Sequence, residues 1–175
     1  EIHRNITEDW HVTVADTGAF ATTGQRVSLA QKYIEEDMFI VTYGDCLSNI
    51  DINRLVDCAR ENDKLVTMAV AHPTGRHQVL PIDENNIVKS RKLAEETGRE
   101  AWTNACTYVL RKGVFNYLNG NYELDKQLIP LLSEKEQIAV YRHEGFWCPV
   151  ETKRDRTDLE NSWNAGIAPW KVWSE

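Results

Sequence analysis

The sequence predicts an α/β domain, and three observations carry the prediction. The first half alternates strand-like and helix-like apolar patterns, in the order strand, helix, strand, helix, strand. Such alternation argues for parallel βαβ units. The apolar run MFIVTY at residues 38–43 ends abruptly in Gly44 and Asp45. That is the pattern of a buried strand delivering a carboxylate to its C-terminal edge, outside which open α/β sheets bind ligands. Finally, 175 residues are enough for one domain with a sizeable core, so residues 1–175 are read as a single domain.

The elements follow from local pattern. Residues 10–16 alternate and are rich in β-branched side chains, which predicts a strand. Residues 17–25 form a Gly/Thr-rich loop, in which Asp16, Thr17 and Gly18 read as a strand-end turn. Val27, Ala30 and Ile34 sit at helical spacing within residues 26–35. After the strand at 38–43, residues 51–62 read as a helix with Leu55, Cys58 and Ala59 inward, and residues 65–71 as a third strand. The second half changes character. A turn at 72–75 precedes two short strands, 79–82 and 87–89, around the polar loop 83–86, which predicts a hairpin. Residues 92–100 read as a charged, exposed excursion. A strand at 105–110, short helices at 114–118 and 124–133, a strand at 138–142 and a helix at 157–165 complete the pattern, despite Pro130 inside the second short helix. The tail at 166–173, GIAPWKVW, is too apolar for a free end. Its tryptophans are expected to dock on the same chain or on a partner.

Composition narrows the function classes. The net charge is −7 with acids and bases interspersed. That argues against a nucleic-acid surface and against an anionic membrane. No apolar run is long enough to span a bilayer, and no signal peptide is read. Cys46, Cys58, Cys106 and Cys148 lack C-x-x-C spacing. Widely spaced free thiols suit a reducing cytoplasm. The sequon at Asn5 has meaning only in a secreted protein. The chain opens on Glu1 rather than Met, so the start is read as removed or the chain as a piece of something longer.

Several residues invite chemistry. Asp45, after a glycine that lets backbone approach a ligand, fits a divalent-cation ligand or a cap of the following turn. Cys46 beside it reads as a small buried cysteine rather than a nucleophile, since no histidine is near in sequence. His72 and His77 flank a turn without the further ligands that zinc needs. The run from Lys153 to Arg156 fits a phosphate site or a solvated helix start.

Motifs in order along the chain resemble those of the glucose-1-phosphate cytidylyltransferase family of sugar nucleotidyltransferases. WHVTVADTG at 10–18 is similar to W-x-V-T-x-x-D-T-G, and TGQR at 23–26 to T-G-G-R. TYGD at 42–45 matches, and PTGR at 73–76 resembles P-x-G-R. GFWCPVETKRD at 145–155 resembles G-F-W-x-P-M-D-T-x-R-D, and GIAPWKVW resembles the closing G-x-A-P-W-K-x-W. The resemblance implies a doubly wound, mixed and mostly parallel sheet of nucleotide-diphospho-sugar transferase type, incomplete in this chain, with a C-terminal hairpin and helical extension. It implies Mg²⁺ held by Asp45 and Glu151. It implies CTP and glucose 1-phosphate as substrates, with Thr22, Thr23 and Arg26 toward the nucleotide, Gly44 against substrate, Tyr43 on the sugar side and Asn104 at the sugar phosphate. Transfer of CMP would give CDP-glucose and pyrophosphate, in a cytoplasmic homo-oligomer serving polysaccharide synthesis.

The chain also departs from the pattern. The family's glycine-rich nucleotide loop is absent from the sequence, so the chain by itself is expected to be inactive. Glu151 stands where the family has Asp, Gln25 replaces a glycine, and Asn104-Ala105-Cys106 stands for N-G-G. The family's E-K-P segment is eroded to SRKLAEE at 90–96, where Lys92 could substitute for its lysine. The alternative reading is therefore a non-catalytic remnant that acts as an assembly or regulatory module.

Overall fold

The computed structural model describes residues 10–72, 80, 82–88, 101–120 and 122–173. Its centre is a four-stranded sheet of β1 (Met38–Thr42), β3 (Val66–Ala71), β4 (Thr103–Arg111) and β5 (Ile138–His143), in the order β1-β4-β3-β5. β4 runs antiparallel to both β1 and β3, while β5 runs parallel to β3. Three strands therefore share one direction and β4 is slotted between two of them. The C-terminal ends of β1, β3 and β5 collect at one edge, with the N-terminal end of β4. The sheet is mixed and open, as expected.

All six residues of β3 are buried, as a strand covered on both faces requires. Alternation sends Val66, Met68 and Val70 to one face, where they meet Tyr108, Leu110, Leu128, Leu132, Ile138 and Val140. Ala69 and Ala71 face the other side, with Ala105, Val109, Ile50 and Trp147. The helix α2 (Ile52–Asn62) closes that second face through Leu55 and Ala59. Asp51 caps it by accepting from the Arg54 amide at 3.1 Å, and Asp63 ends it in the left-handed region.

Three elements differ from expectation. Residues 10–16 form no strand; Trp10, Val12 and Val14 are exposed. Alternation makes a strand only when a neighbour supplies the ladder, and no strand among the described residues pairs with this segment. The first helix, α1 (Thr23–Ala30), starts earlier than its apolar spacing suggests and ends in a 3₁₀ turn at Gln31–Tyr33. Its Gly24 amide donates to the Tyr122 carbonyl at 2.9 Å. A Cβ there would stand 2.5 Å from that oxygen, so glycine is required. The helix at 124–133 splits into a wide turn at Leu124–Leu128 and α3 (Ile129–Glu134). Pro130 has no N–H to give to the preceding turn and sits in the first turn of α3, where none is needed.

Other expectations hold with shifted bounds. Residues 112–117 make a 3₁₀ turn, and an antiparallel bridge between Ile82 and Val88 marks the hairpin. Two short strands escape periodicity altogether, β2 (Cys46–Ser48) and β6 (Trp147–Pro149), which pair antiparallel. The last helix is α4 (Lys153–Asn164). Asn5, most of the turn at 72–76, His77 and the charged stretch around Lys92 lie outside the described residues.

Leu55 is the side chain through which α2 holds the sheet, with no exposed surface. Leu55→Ala is expected to cost about 2–5 kcal/mol, read as a lower urea midpoint at unchanged slope.

Candidate functional site

β1 hands the chain to a tight turn at its C-terminal end. The Tyr43 amide donates to the Cys106 carbonyl at 3.1 Å, then Gly44 and Asp45 turn out to solvent and β2 begins. Nothing lies within 4 Å of the place a Gly44 Cβ would take, so this backbone is open to a ligand. β2 pairs with β6, Cys46 opposite Pro149. The pairing continues one step further, the Val150 amide donating to the Asp45 carbonyl at 2.7 Å. Glu151 follows directly. Residues 45 and 151, far apart in sequence, are thereby brought together, and both carboxylates act on the Cys46 thiol. The Cys46 thiol reaches Asp45 Oδ1 at 3.9 Å. The neighbouring Cys106 thiol draws Cys46 below the ordinary thiol range, and Cys46 in turn drives Cys106 far above it.

Glu151 is set by the start of α4. Asp155 Oδ2 accepts from the Glu151 amide at 3.1 Å and the Thr152 amide at 2.7 Å, and the Thr152 hydroxyl accepts from the Asp155 amide at 3.2 Å. This capping box fixes the backbone that presents Glu151. Hydrogen bonding, first from Thr152, holds Asp155 below the usual carboxylate range. Arg156 pairs with Glu160 at 2.9 Å and Arg154 with Asp158 at 3.7 Å, the pattern of a solvated helix face.

A second polar group lies next to Tyr43. Asp125 accepts from the Tyr108 hydroxyl at 2.7 Å, the Asn104 amide at 3.0 Å and the Tyr43 hydroxyl at 3.1 Å. Burial, then Asp125, pushes both phenols above their ordinary range, so they stay donors. Asn104 is held by its own strand, its Oδ1 accepting from the Cys106 amide at 2.9 Å and its Nδ2 donating to Tyr108 at 2.5 Å. Cys106 has a φ of 61°, and at this point β3 advances by two residues while β4 advances by four. The bulge also turns the Ala105 carbonyl to the Trp147 indole, which donates at 3.1 Å and anchors β6.

The structure gives the predicted nucleotide-side residues internal partners. The Thr22 hydroxyl donates to the Tyr122 carbonyl at 2.5 Å, and the Thr23 hydroxyl accepts from the Leu124 amide at 2.9 Å. Arg26 is exposed, its guanidinium donating to the Thr17 hydroxyl at 2.6 Å. Asp45, Glu151, Gly44, Tyr43 and Asn104 therefore gather at one sheet edge, while Thr22 and Thr23 tie α1 to the segment carrying Asp125. Asp125 and Tyr108 are absent from the sequence expectation. Asp125 sits in ELDKQL, a stretch with no motif, and meets Tyr43 only through the fold.

His72 also ends a strand at this edge, 2.9 Å from Glu144 and stacked on Trp102. The tail docks on its own chain. Gly166, with a φ of 71°, ends α4 with the Ile167 amide reaching back to the Ser162 carbonyl at 3.1 Å. Trp170 then stacks on Phe146, and Trp173 meets Trp163. A cleft of about 370 Å³ remains there, lined mainly by Leu47, Val150, Leu159, Trp163 and Trp170. It is apolar and does not include the carboxylate pair.

Two neighbouring carboxylates beside open glycine backbone fit Mg²⁺, which takes one or two protein carboxylates and completes its shell with water and substrate phosphate. Among the described residues no three His, Cys, Asp or Glu side chains converge as a closed metal cage. None of their helices is long and apolar enough to cross a membrane.

The mixed α/β sheet is similar in fold to solved nucleotidyltransferase structures. A crystal structure of HddC from Yersinia pseudotuberculosis superposes with a TM-score of 0.66 over 81% of this chain and 62% of that one, at 20% identity. HddC in complex with GMP-PN superposes with a TM-score of 0.64, at the same identity and coverage. No protein-family model matches the sequence. The glucose-1-phosphate cytidylyltransferase of Salmonella typhi is 30% identical over 175 residues, which is 99% of this chain and 67% of that protein. The Salmonella typhimurium protein of the same name shows the same identity and coverage. The chain belongs to the glucose-1-phosphate cytidylyltransferase family and spans about two thirds of the length of these relatives.

Two outcomes follow from this geometry. A Cβ at a left-handed residue costs roughly 1–2 kcal/mol, so Cys106→Gly is expected to raise stability by about 1 kcal/mol, seen as a higher Tm. Asp155 is depressed in the folded state, so its contribution is complete above the ordinary carboxylate range. It is lost as pH falls through the lowered value. Protection of the amides at 151–155, taken relative to the intrinsic exchange rate at each pH, is expected to fall on acidification there, and Asp155→Asn to show the low protection already at neutral pH.

Proposed function

We propose that this chain carries the metal and sugar-phosphate side of a glucose-1-phosphate cytidylyltransferase, which passes CMP from CTP to glucose 1-phosphate and releases CDP-glucose and pyrophosphate. The observation that carries this reading is the Asp45–Val150 backbone pairing, which sets Asp45 and Glu151 side by side at the sheet edge. These two residues would hold Mg²⁺. When bound, the ion neutralises charge on the nucleotide phosphates. The protein's own part is positioning. Gly44 offers open backbone to substrate, and Tyr43 and Asn104 line the sugar side. Arg26 faces the nucleotide, with Thr22 and Thr23 fixing α1 beneath it. A sugar-phosphate oxygen then meets the α-phosphorus in line, with no covalent enzyme intermediate required. The free thiols suit a cytoplasmic site of action. The exposed Ile167 and Val172 of the tail suit contact between copies in a homo-oligomer.

Calorimetry with CTP and CDP-glucose in Mg²⁺ tests the reading. Binding near micromolar Kd is expected, about −8 kcal/mol, and it should require the metal. Asp45→Asn is expected to weaken it at least about tenfold with little change in Tm, because the side chain is exposed. A wild-type chain that binds neither compound would favour the non-catalytic assembly module instead.

A further inference from the structure

The group around Asp125 has a donor and acceptor count that says what it can bind. A carboxylate offers about four lone-pair sites. Oδ1 already accepts from Tyr108 and Asn104, and Oδ2 from Tyr43. All three donors stand on or next to strands, so the carboxylate is held rather than swinging. Asp125 itself is exposed, which leaves its remaining acceptor site open to solvent. The adjacent Lys126 turns to Glu123 at 2.7 Å. Asn104 has nothing left to give an anion. Its oxygen takes the Cys106 amide, and its two N–H groups face Asp125 and the Tyr108 oxygen. This end of the site therefore presents a fixed negative acceptor. It suits a hydroxyl donor and repels a phosphate.

We propose that Asp125 is a specificity-determining residue of the sugar-phosphate site, accepting a hydrogen bond from one ring hydroxyl of the sugar and directing its phosphate away, toward Asp45 and Glu151. This rests on the reading that Tyr43 and Asn104 line the sugar side. A site built to bond a hydroxyl rejects the analogue that lacks it, because the fixed carboxylate is then covered by the ligand with its remaining acceptor site unmet. A bond to a charged acceptor carries more of that discrimination than a neutral one.

The test is a ligand-by-variant cycle. Affinities of glucose 1-phosphate and its 2-, 3-, 4- and 6-deoxy analogues are measured in Mg²⁺ by calorimetry, for wild type and Asp125→Asn. In the wild type one deoxy analogue is expected to bind about tenfold more weakly than the parent. In D125N the parent weakens by about that factor and the gap to that analogue closes. A merely structural role would weaken every analogue alike and leave the gap. That result, or D125N keeping the wild-type pattern, overturns the assignment while leaving the proposed function standing. No binding of glucose 1-phosphate by the wild type would overturn both. If D125N fails to fold by circular dichroism, Asp125→Glu is carried through the same series. The longer carboxylate should change the size of the gap, and an unchanged pattern overturns the proposal.

Discussion

The site hangs on one interruption in β4. At residues 104–106 the strand leaves its regular ladder, and Cys106 takes a left-handed backbone. Three polar groups of this segment find partners. The Cys106 amide goes to Asn104 Oδ1, the Cys106 carbonyl receives the Tyr43 amide, and the Ala105 carbonyl receives the Trp147 indole. One bulge thus orients Asn104, pins the chain leaving β1 and anchors β6. Since β6 carries the backbone that meets Asp45, both carboxylates depend on it. Unpaired buried backbone groups cost about 1–3 kcal/mol each, so reuse of all three makes a strained conformation tenable.

The sheet topology explains why one bulge reaches so much. β4 is the only strand of the four to run against the others, so its beginning meets the ends of β1 and β3. Carboxylates, amide and phenols from residues 43, 45, 104 and 151 converge without any long loop. The charge of both polar groups is felt at the thiols beside them, Asp45 and Glu151 at Cys46 and Asp125 at Cys106. The two groups differ in wiring. Asp45 and Glu151 are both exposed at the sheet edge. Asp125 is largely satisfied by the protein and has one face to offer.

Much of this is legible in the sequence, and the rest is missing for physical reasons. Continuous apolar runs identify β1, β3 and β5, but only β3 is buried throughout; β1, expected as a buried strand, lies at the end of the sheet with Ile40 and Thr42 exposed. α2 is legible from its amphipathic spacing and the acid that caps it. The resemblance of TYGD and GFWCPVETKRD to family motifs singles out Asp45 and Glu151, and the backbone pairing of Asp45 with Val150 brings these two segments together. Pairing of β2 with β6 is invisible, since three residues carry no period and their ladder is long-range. Residues 10–16 carry a strand pattern but no neighbour, and pattern alone supplies no hydrogen bonds. Asp125 is hidden for a similar reason. Its role is set by three partners, and Tyr43 stands 82 positions away.

The departures from the family's glycine pattern look, in sequence, like erosion of a ligand pocket, and the packing says otherwise for two of them. The Ala105 methyl is buried in the core between α2, Val109 and Trp147, on the face away from the strand-end site. A side chain there fills a core layer and obstructs nothing. Cys106 keeps the left-handed backbone a glycine would adopt freely, and its thiol neighbours that of Cys46. The cost falls on conformational energy, not on access. Glu151 is one methylene longer than Asp, yet its backbone is fixed by Asp155 and by the neighbouring Val150 pairing, so the extra reach is confined to the side chain. Loss of glycine in this segment therefore measures lost backbone ease, and the open space beside Gly44 is untouched by it.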